Sequence, residues 1–145
     1  MWLPPIAFAD VQRKIVRELG AGVLSPDGGI LAVYQEAEIL LWDVDLGEIG
    51  RSPLAVPGVG LAAVAWSPDG HALAYLQVHG DCMPEGKAHV VRLMLDGLKA
   101  DLLLESDSPV FGGLMWPGPE YLELVDADGG RWRLDLTSRV LTAEP

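Results

Sequence analysis

One eleven-residue motif occurs twice in this chain, and this repeat restricts the fold more than any other feature of the sequence. The first copy, LSPDGGILAVY, begins at Leu24, and the second, WSPDGHALAYL, begins at Trp66. In each copy, proline fixes φ at the second turn position, and glycine supplies the conformational freedom needed to leave the turn. An apolar residue precedes each turn and an apolar run follows it. Each copy therefore predicts a β-hairpin.

The similarity extends beyond the hairpins and includes a third unit. The segment ILLWDVDLGE (39–48) aligns with HVVRLMLDGL (89–98) and with GGRWRLDLTS (129–138). The hairpin around Trp116, LMWPGPEYLELV, aligns with the one around Trp66 and has PGPE in place of SPDG. Each unit then holds four short strands in about 40–50 residues, the length of one β-propeller blade. HALAYLQV is apolar on both sides, which indicates a strand that is covered on both faces.

The two SPDG hairpins resemble those of WD-like and TolB-like propeller repeats, and LLWDVDLGE resembles the third strand of such blades, where Trp-Asp is frequent. The resemblance implies an all-β fold, a partial β-propeller of about three four-stranded antiparallel blades. We expect a single domain, 1–145, with blade-like repeats at 22–60, 61–112 and 113–145. The resemblance implies no activity, because propellers serve unrelated functions.

Residues 1–21 precede the first repeat, and two interpretations of them stay open. The segment ADVQRKIVRELG (9–20) spaces Val11, Ile15 and Leu19 as on one face of a short helix. The same region also parallels RLDLTSRVLTAE near the other terminus, which favours two strands. Two strands are the preferred interpretation.

Three blades do not close a ring, since closed propellers typically have about 4–8 blades. Two apolar blade faces would remain at the open side, which is more apolar surface than a monomer normally exposes. Association with a second copy about a two-fold axis would bury like faces against each other. We therefore expect a homo-oligomer that completes a ring. The alternatives are a piece of a larger propeller and a chain that covers its open ends with the N-terminal segment.

Charge and composition limit the partners. Ten basic and 21 acidic residues give a net charge of −11, which repels phosphates, so we expect neither nucleic acid nor a membrane as partner. The longest uncharged run, 52–68, contains three prolines in 17 residues and is too short and broken to span a bilayer. The single cysteine, Cys82, fits a reducing compartment, and MWLPPIAFAD lacks the basic start of a signal peptide. We predict a cytoplasmic protein.

The segment HGDCMPEGKAH, 79–89, is the most unusual stretch, because it carries eight more residues than the same connection in the first unit. It predicts an exposed loop, and loops often carry function. Five of its residues are candidate metal ligands: His79, Asp81, Cys82, Glu85 and His89. The spacing His-x2-Cys-x6-His matches no familiar closed zinc site. A solvated loop is therefore the preferred interpretation and a metal site the alternative.

No catalytic residues are predicted. The sequence contains no Gly-x-Ser-x-Gly elbow, and the acidic surroundings of Cys82 disfavour a thiolate. DADGG (126–130) lacks most ligands of a calcium loop and predicts a hairpin turn. The recurring tryptophans 42, 66, 116 and 132 predict core packing.

The sequence thus predicts a non-catalytic scaffold that presents loops to a protein partner and needs no cofactor. The alternative is a metal-binding or enzyme-associated propeller domain with the 79–89 loop as its site.

Overall fold

The structure is a computed structural model, and it describes residues 22–34, 37–78, 88–106, 111–126 and 128–144. These residues form twelve β-strands in three four-stranded antiparallel sheets, as predicted. In every sheet the strands pair with their neighbours in sequence. The segment 1–21, for which strands and a helix were both open, lies outside the described residues.

The strand bounds follow the predicted repeats. The first sheet holds β1 Gly22–Leu24, β2 Ile30–Tyr34, β3 Glu38–Asp43 and β4 Gly47–Pro53. The second holds β5 Gly60–Trp66, β6 Ala72–Val78, β7 Ala88–Met94 and β8 Lys99–Ser106, with a 3-10 turn at Asp96–Leu98. The third holds β9 Phe111–Gly118, β10 Tyr121–Asp126, β11 Arg131–Asp135 and β12 Leu141–Ala143. Within the described part of the chain, no helix has the length and apolar character needed to cross a membrane.

The two SPDG turns have the same hydrogen bonds in the same place, between the first and second strands of their sheets. Ser67 Oγ donates to Asp69 Oδ1 at 2.6 Å and accepts from the N–H of Ala72 at 3.0 Å. Ser25 and Asp27 repeat this arrangement, at 2.7 Å between Ser25 Oγ and Asp27 Oδ1. The glycines that end the two turns have φ values of 77° and 76°. The repeat therefore encodes one local structure twice.

A second turn motif follows the third strands of the first and third sheets. Asp43 Oδ1 accepts the N–H groups of the second and third residues after it, and Asp135 Oδ1 does the same. These aspartates are 92 residues apart, whereas Trp42 and Trp132, aligned above, are 90 apart. The sequence alignment was therefore shifted by two residues here. Side chains alternate between the two faces of a strand, so a shift of two residues does not change the face. Trp42 and Trp132 both lie on the face of their sheet that packs against a buried cluster, as predicted.

The chain divides into two compact units, 1–53 and 54–145. The first sheet lies in the first unit, where Leu31, Val33 and Leu40 form a buried cluster that Leu24 and Trp42 cover. The second and third sheets lie in the second unit.

In the second unit the two sheets pack face to face. Their shared core consists of apolar residues from β6 to β11: Ala74, Leu76, Ala88, Val90, Leu103, Phe111, Leu114, Leu122, Leu124 and Leu134. The ring of Trp132 meets that of Phe111 edge to face, with centroids 6.2 Å apart. All of β6 except its last residue is buried, which confirms that this strand is covered on both faces.

The far face of the third sheet, directed away from the second sheet, is polar. Glu123 pairs with Arg131 at 3.6 Å, Arg133 pairs with Glu144 at 3.4 Å, and the Arg133 guanidinium lies 4.0 Å from the centre of the Tyr121 ring. The expectation of an apolar exposed blade face is therefore wrong for this sheet, because β10 and β11 alternate apolar and charged residues. Ring closure by a second copy remains a prediction.

The DADGG turn between β10 and β11 is organised by one carboxylate. Asp126 accepts the backbone N–H groups of Asp128 and Gly130 and the indole N–H of Trp132, at 2.8–2.9 Å. A Cβ at Gly130 would lie 2.6 Å from Asp126 Oδ2, so glycine is needed there. The structure confirms the predicted hairpin turn.

We expect the contribution of Asp126 to stability to depend on pH. The hydrogen bond from Trp132, and then those from the backbone, lower the pKa of Asp126 from its ordinary value of 3.8. A lowered folded-state pKa means that the contribution is present above pH 3.8 and is lost as the pH falls through the folded value. Urea unfolding of wild type and Asp126→Asn at pH 7 and near pH 2 should show a difference in stability that shrinks in acid. A constant difference would contradict this role for the charge.

Candidate functional site

The second unit contains a cleft of about 570 Å³ at the end of its sheets that carries the SPDG and PGPE turns. The volume falls within the range of small-ligand sites, about 300–1,000 Å³. Its walls come from the β5–β6 turn, β7, the β9–β10 turn and the β11–β12 turn: Ser67, Pro68, Asp69, His71, Ala72, Arg92, Met94, Trp116, Pro119, Glu120, Leu136 and Thr137. Both packed sheets therefore contribute to one recess.

Two residues of this cleft carry buried N–H donors with no acceptor among the described residues. These donors are Nε of Arg92 in β7 and Nε1 of Trp116 in β9. Trp132, in the same sheet as Trp116, differs in this respect, because its indole N–H donates to Asp126 at 2.9 Å. An unpaired buried donor costs roughly 1–3 kcal/mol. Both nitrogen atoms are closed to solvent, so an oxygen in the cleft does not reach them without a rearrangement of the walls.

The charge of Arg92 is only partly compensated. Its Nη2 lies 3.3 Å from Asp101 Oδ2, across the β7–β8 pair. The same oxygen accepts Nη2 of Arg139 at the shorter distance of 2.7 Å, and Arg139 also donates to the carbonyl of Leu102 at 3.3 Å. Two guanidinium groups thus share one carboxylate, while Asp69 and Glu120 place two further carboxylates in the lining of the cleft.

Ser67, Asp69 and His71 lie together in the cleft, yet their contacts are those of a turn. Asp69 accepts the Ser67 hydroxyl and the backbone N–H of His71. The hydroxyl bond is the first cause that lowers the pKa of Asp69 below 3.8, and the backbone bond is the second. The first sheet makes the same bonds with Gly29 in the place of His71. These residues therefore hold the hairpin and form no Ser-His-Asp triad.

Of the five predicted metal ligands, only His89 lies within the described residues. It is 5% exposed, in β7, and its Nδ1 lies 3.9 Å from Glu105 Oε2. His79, Asp81, Cys82 and Glu85 fall in 79–87, outside the described residues. Within the ranges that the structure covers, no three His, Cys, Asp or Glu residues are grouped to hold a metal ion. The metal site stays untested.

The cleft could not be predicted from the sequence, because its lining residues share no motif. Trp116 was predicted as core; it packs against the core of the second unit and also lines the cleft. Arg92 and Arg139 stood in ordinary strand and turn contexts. The only sequence signal was the arginine at position 139, where the matching turn of the first sheet has Gly47.

Three solved structures of β-propeller-type proteins are similar to this chain. An oligogalacturonate lyase in complex with manganese aligns with a TM-score of 0.67 at 11% identity, over 84% of this chain and 39% of that one. Oligogalacturonate lyase from Vibrio parahaemolyticus gives 0.66 at 8%, over 83% and 38%. Dipeptidyl peptidase 4 from Porphyromonas gingivalis gives 0.62 at 11%, over 85% and 25%. The fold is a partial β-propeller.

This partial propeller spans less than half the length of each of those three structures. No protein-family model and no curated protein matches its sequence. At identities of 8–11% the likeness defines the fold alone, since one fold supports unrelated functions. The three sheets are its blades.

Proposed function

We propose that this partial propeller is a non-catalytic interaction module that binds a segment of a protein partner in the cleft of the second unit. The observation that carries the proposal is a recess of about 570 Å³ whose walls combine the apolar side chains of Met94, Trp116 and Leu136 with the charged side chain of Arg92. A polypeptide segment offers apolar side chains together with backbone carbonyl groups, so it can match walls of this composition.

The chemistry of the cleft walls supports binding over catalysis. The hydroxyl of Ser67 and the carboxylate of Asp69 are engaged in holding the turn. Apolar side chains of Met94, Trp116 and Leu136 complete the walls. Apolar walls with a few convergent polar groups are typical of recognition sites.

The alternative, a metal-binding or enzyme-associated propeller with the 79–89 loop as its site, has weaker support. His89, its one described candidate ligand, is buried in a strand and lies near Glu105. The strand ends that flank residues 79–87, Val78 and Ala88, pair with each other at the end of the sheet opposite the SPDG turn. A site there would be separate from the cleft.

Site-specific photocrosslinking tests the proposal. Benzoylphenylalanine at Thr137, which lines the cleft, is compared with the same group at Thr142, on the far face of the third sheet. Both positions are exposed threonines of one sheet, so the variants are matched. We expect one partner protein to be crosslinked at Thr137, with a yield about tenfold lower at Thr142.

Competition makes the result specific. Unmodified protein in excess should suppress the crosslink, whereas Met94→Asp, which places a charge in the apolar wall of the cleft, should suppress it poorly. Equal yields at the two positions would overturn the proposal. A crosslink to a second copy of this chain would assign the cleft to self-association, against the proposal of a different partner.

A further inference from the structure

We propose that the cleft binds a basic side chain, lysine or arginine, of the partner segment. The aliphatic part of that side chain lies on the apolar wall, and its charged end faces the carboxylates of Asp69 and Glu120. The inference rests on the proposed function and adds the chemical class of the ligand. It follows from the composition of the cleft walls and from the charges in and around them.

The walls of the cleft match a side chain that is apolar along its length and charged at its end. Met94, Trp116 and Leu136 form an apolar wall, and Asp69 and Glu120 belong to the same lining. Met94 is 38% exposed at the end of β7, whose preceding residues are mostly buried. Lysine and arginine bury their methylene groups along apolar surface and keep the charged end in polar surroundings. The lining therefore fits a basic side chain better than an acidic or a wholly apolar one.

The two carboxylates of the lining form no ion pair with a lysine or arginine in the described part of the chain. Arg92, the one arginine of the lining, has such a pair, with Asp101 at 3.3 Å. The hydrogen bond from the Ser67 hydroxyl, and then one from the backbone, hold the pKa of Asp69 below 3.8, so this carboxyl is ionised at neutral pH. Glu120 is exposed in the β9–β10 turn. Both carboxylates are thus available to a cation.

The charges around the lining nearly cancel, so the two carboxylates of the lining determine which ligand is preferred. The two arginines that share Asp101 leave one positive charge, and Asp135, at the β11–β12 turn, adds a negative one. Asp96 and Lys99, at the β7–β8 turn, offset each other. His71, in the lining, is charged only when protonated. The net charge of the chain, −11, also accelerates association with a basic partner.

Titration of the full-length protein with short peptides, followed by ¹H–¹⁵N NMR, tests the inference. The probes are capped Ala-Lys-Ala, capped Ala-Arg-Ala, the lysine peptide with acetyl-lysine in place of lysine, capped Ala-Glu-Ala, and n-butylammonium. The backbone amides of Met94 and Thr137 report on the cleft, and that of Thr142, on the far face of the third sheet, is the reference. We expect saturable shifts at the cleft with both basic peptides. The acetyl-lysine peptide keeps the apolar stem without the charge and should bind about fivefold more weakly.

The probes separate charge from apolar contact, and a peptide from a simple amine. Equal binding of the lysine and acetyl-lysine peptides, or a glutamate peptide that binds as tightly as the lysine peptide, would overturn recognition of a basic side chain. Binding of n-butylammonium as tight as that of the peptides would overturn recognition of a segment. Shifts of equal size at Thr142 would overturn the assignment to the cleft. The absence of saturable shifts with both basic peptides would overturn the inference as a whole.

Removal of one carboxylate tests the role of Glu120. Glu120→Gln takes one charge from the lining and should weaken binding of the lysine peptide about threefold. Asp128→Asn is the matched control, because Asp128 is also exposed and lies at the opposite end of the same sheet. The control should bind as wild type does. Equal losses of affinity in the two variants would exclude Glu120 from recognition.

An added carboxylate should act in the opposite direction. Thr137→Glu places a charge at an exposed position of the lining and leaves the apolar wall intact, so it should tighten binding of the lysine peptide. Thr142→Glu adds the same charge on the far face and should have no effect. Unchanged amide resonances of β6 show that the variants keep the fold. Weaker binding by Thr137→Glu would contradict the inference.

The outcome is separable from that of the proposed function. Crosslinking from Thr137 without a preference for basic peptides leaves the interaction module intact and overturns only the ligand class. Binding of basic peptides without a crosslinked partner overturns the protein-interaction proposal alone.

Discussion

Replacement of Trp66 by alanine is expected to lower the free energy of unfolding by about 3–5 kcal/mol. The indole is 7% exposed at the end of β5 and lies opposite Leu73, which is fully buried. The substitution removes a large buried surface and leaves a cavity that the rigid sheet fills only in part. Urea unfolding followed by far-UV circular dichroism measures the loss without depending on tryptophan fluorescence.

A conservative substitution at the same site is the control. Trp66→Phe keeps most of the buried apolar volume and should cost clearly less than the alanine variant. If Trp66→Ala stays within about 0.5 kcal/mol of wild type, as surface substitutions do, the indole does not belong to the core.

The second large effect is expected at Gln77, which is fully buried in β6. Its Oε1 accepts the N–H of Val56 at 3.0 Å, and its Nε2 donates to the carbonyls of Val56 and Val59 at 2.9 Å. Gln77→Leu fills the space but leaves two backbone groups, the Val56 N–H and the Val59 carbonyl, without a partner, while the Val56 carbonyl still accepts the N–H of Val59 at 3.4 Å. With roughly 1–3 kcal/mol for each unsatisfied buried group, we expect a loss of about 3 kcal/mol or more.

Tyr75→Phe provides the matched comparison in the same strand. The Tyr75 hydroxyl accepts a single hydrogen bond, from the N–H of Ala55 at 3.0 Å. Its loss should cost about 1 kcal/mol, so urea unfolding should rank the two variants clearly. A Gln77→Leu variant as stable as Tyr75→Phe would show that the segment before β5 does not depend on this side chain.

Gln77 also illustrates what the sequence could and could not predict. The alternation in HALAYLQV correctly indicated a strand covered on both faces. The pattern could not show that the one polar residue in that run holds a segment about 20 positions earlier in the chain. Burial follows from local hydrophobicity, whereas the partner of a buried amide depends on which loop crosses it.

The candidate site shows the same limit. The 79–89 segment was the predicted alternative site, because unusual composition and an insertion are visible in the sequence. The cleft gave no such signal, since its lining residues stand on strands and turns of two sheets. Trp116 illustrates the difference, because its recurrence predicted packing and its unpaired N–H became visible only in three dimensions.

Three antiparallel sheets and the positions of their hairpins were determined by the sequence alone, because the turn hydrogen bonds of Ser25, Ser67 and Asp43 join residues no more than five positions apart. The same short-range hydrogen bonds form in both copies of the SPDG motif, because each copy contains all of the residues that make them. Which side chains remain unpaired in the cleft, and that Asp101 pairs with Arg139 38 positions later, was decided by the tertiary structure. These properties depend on contacts between distant positions, and such contacts exist only after the sheets have packed.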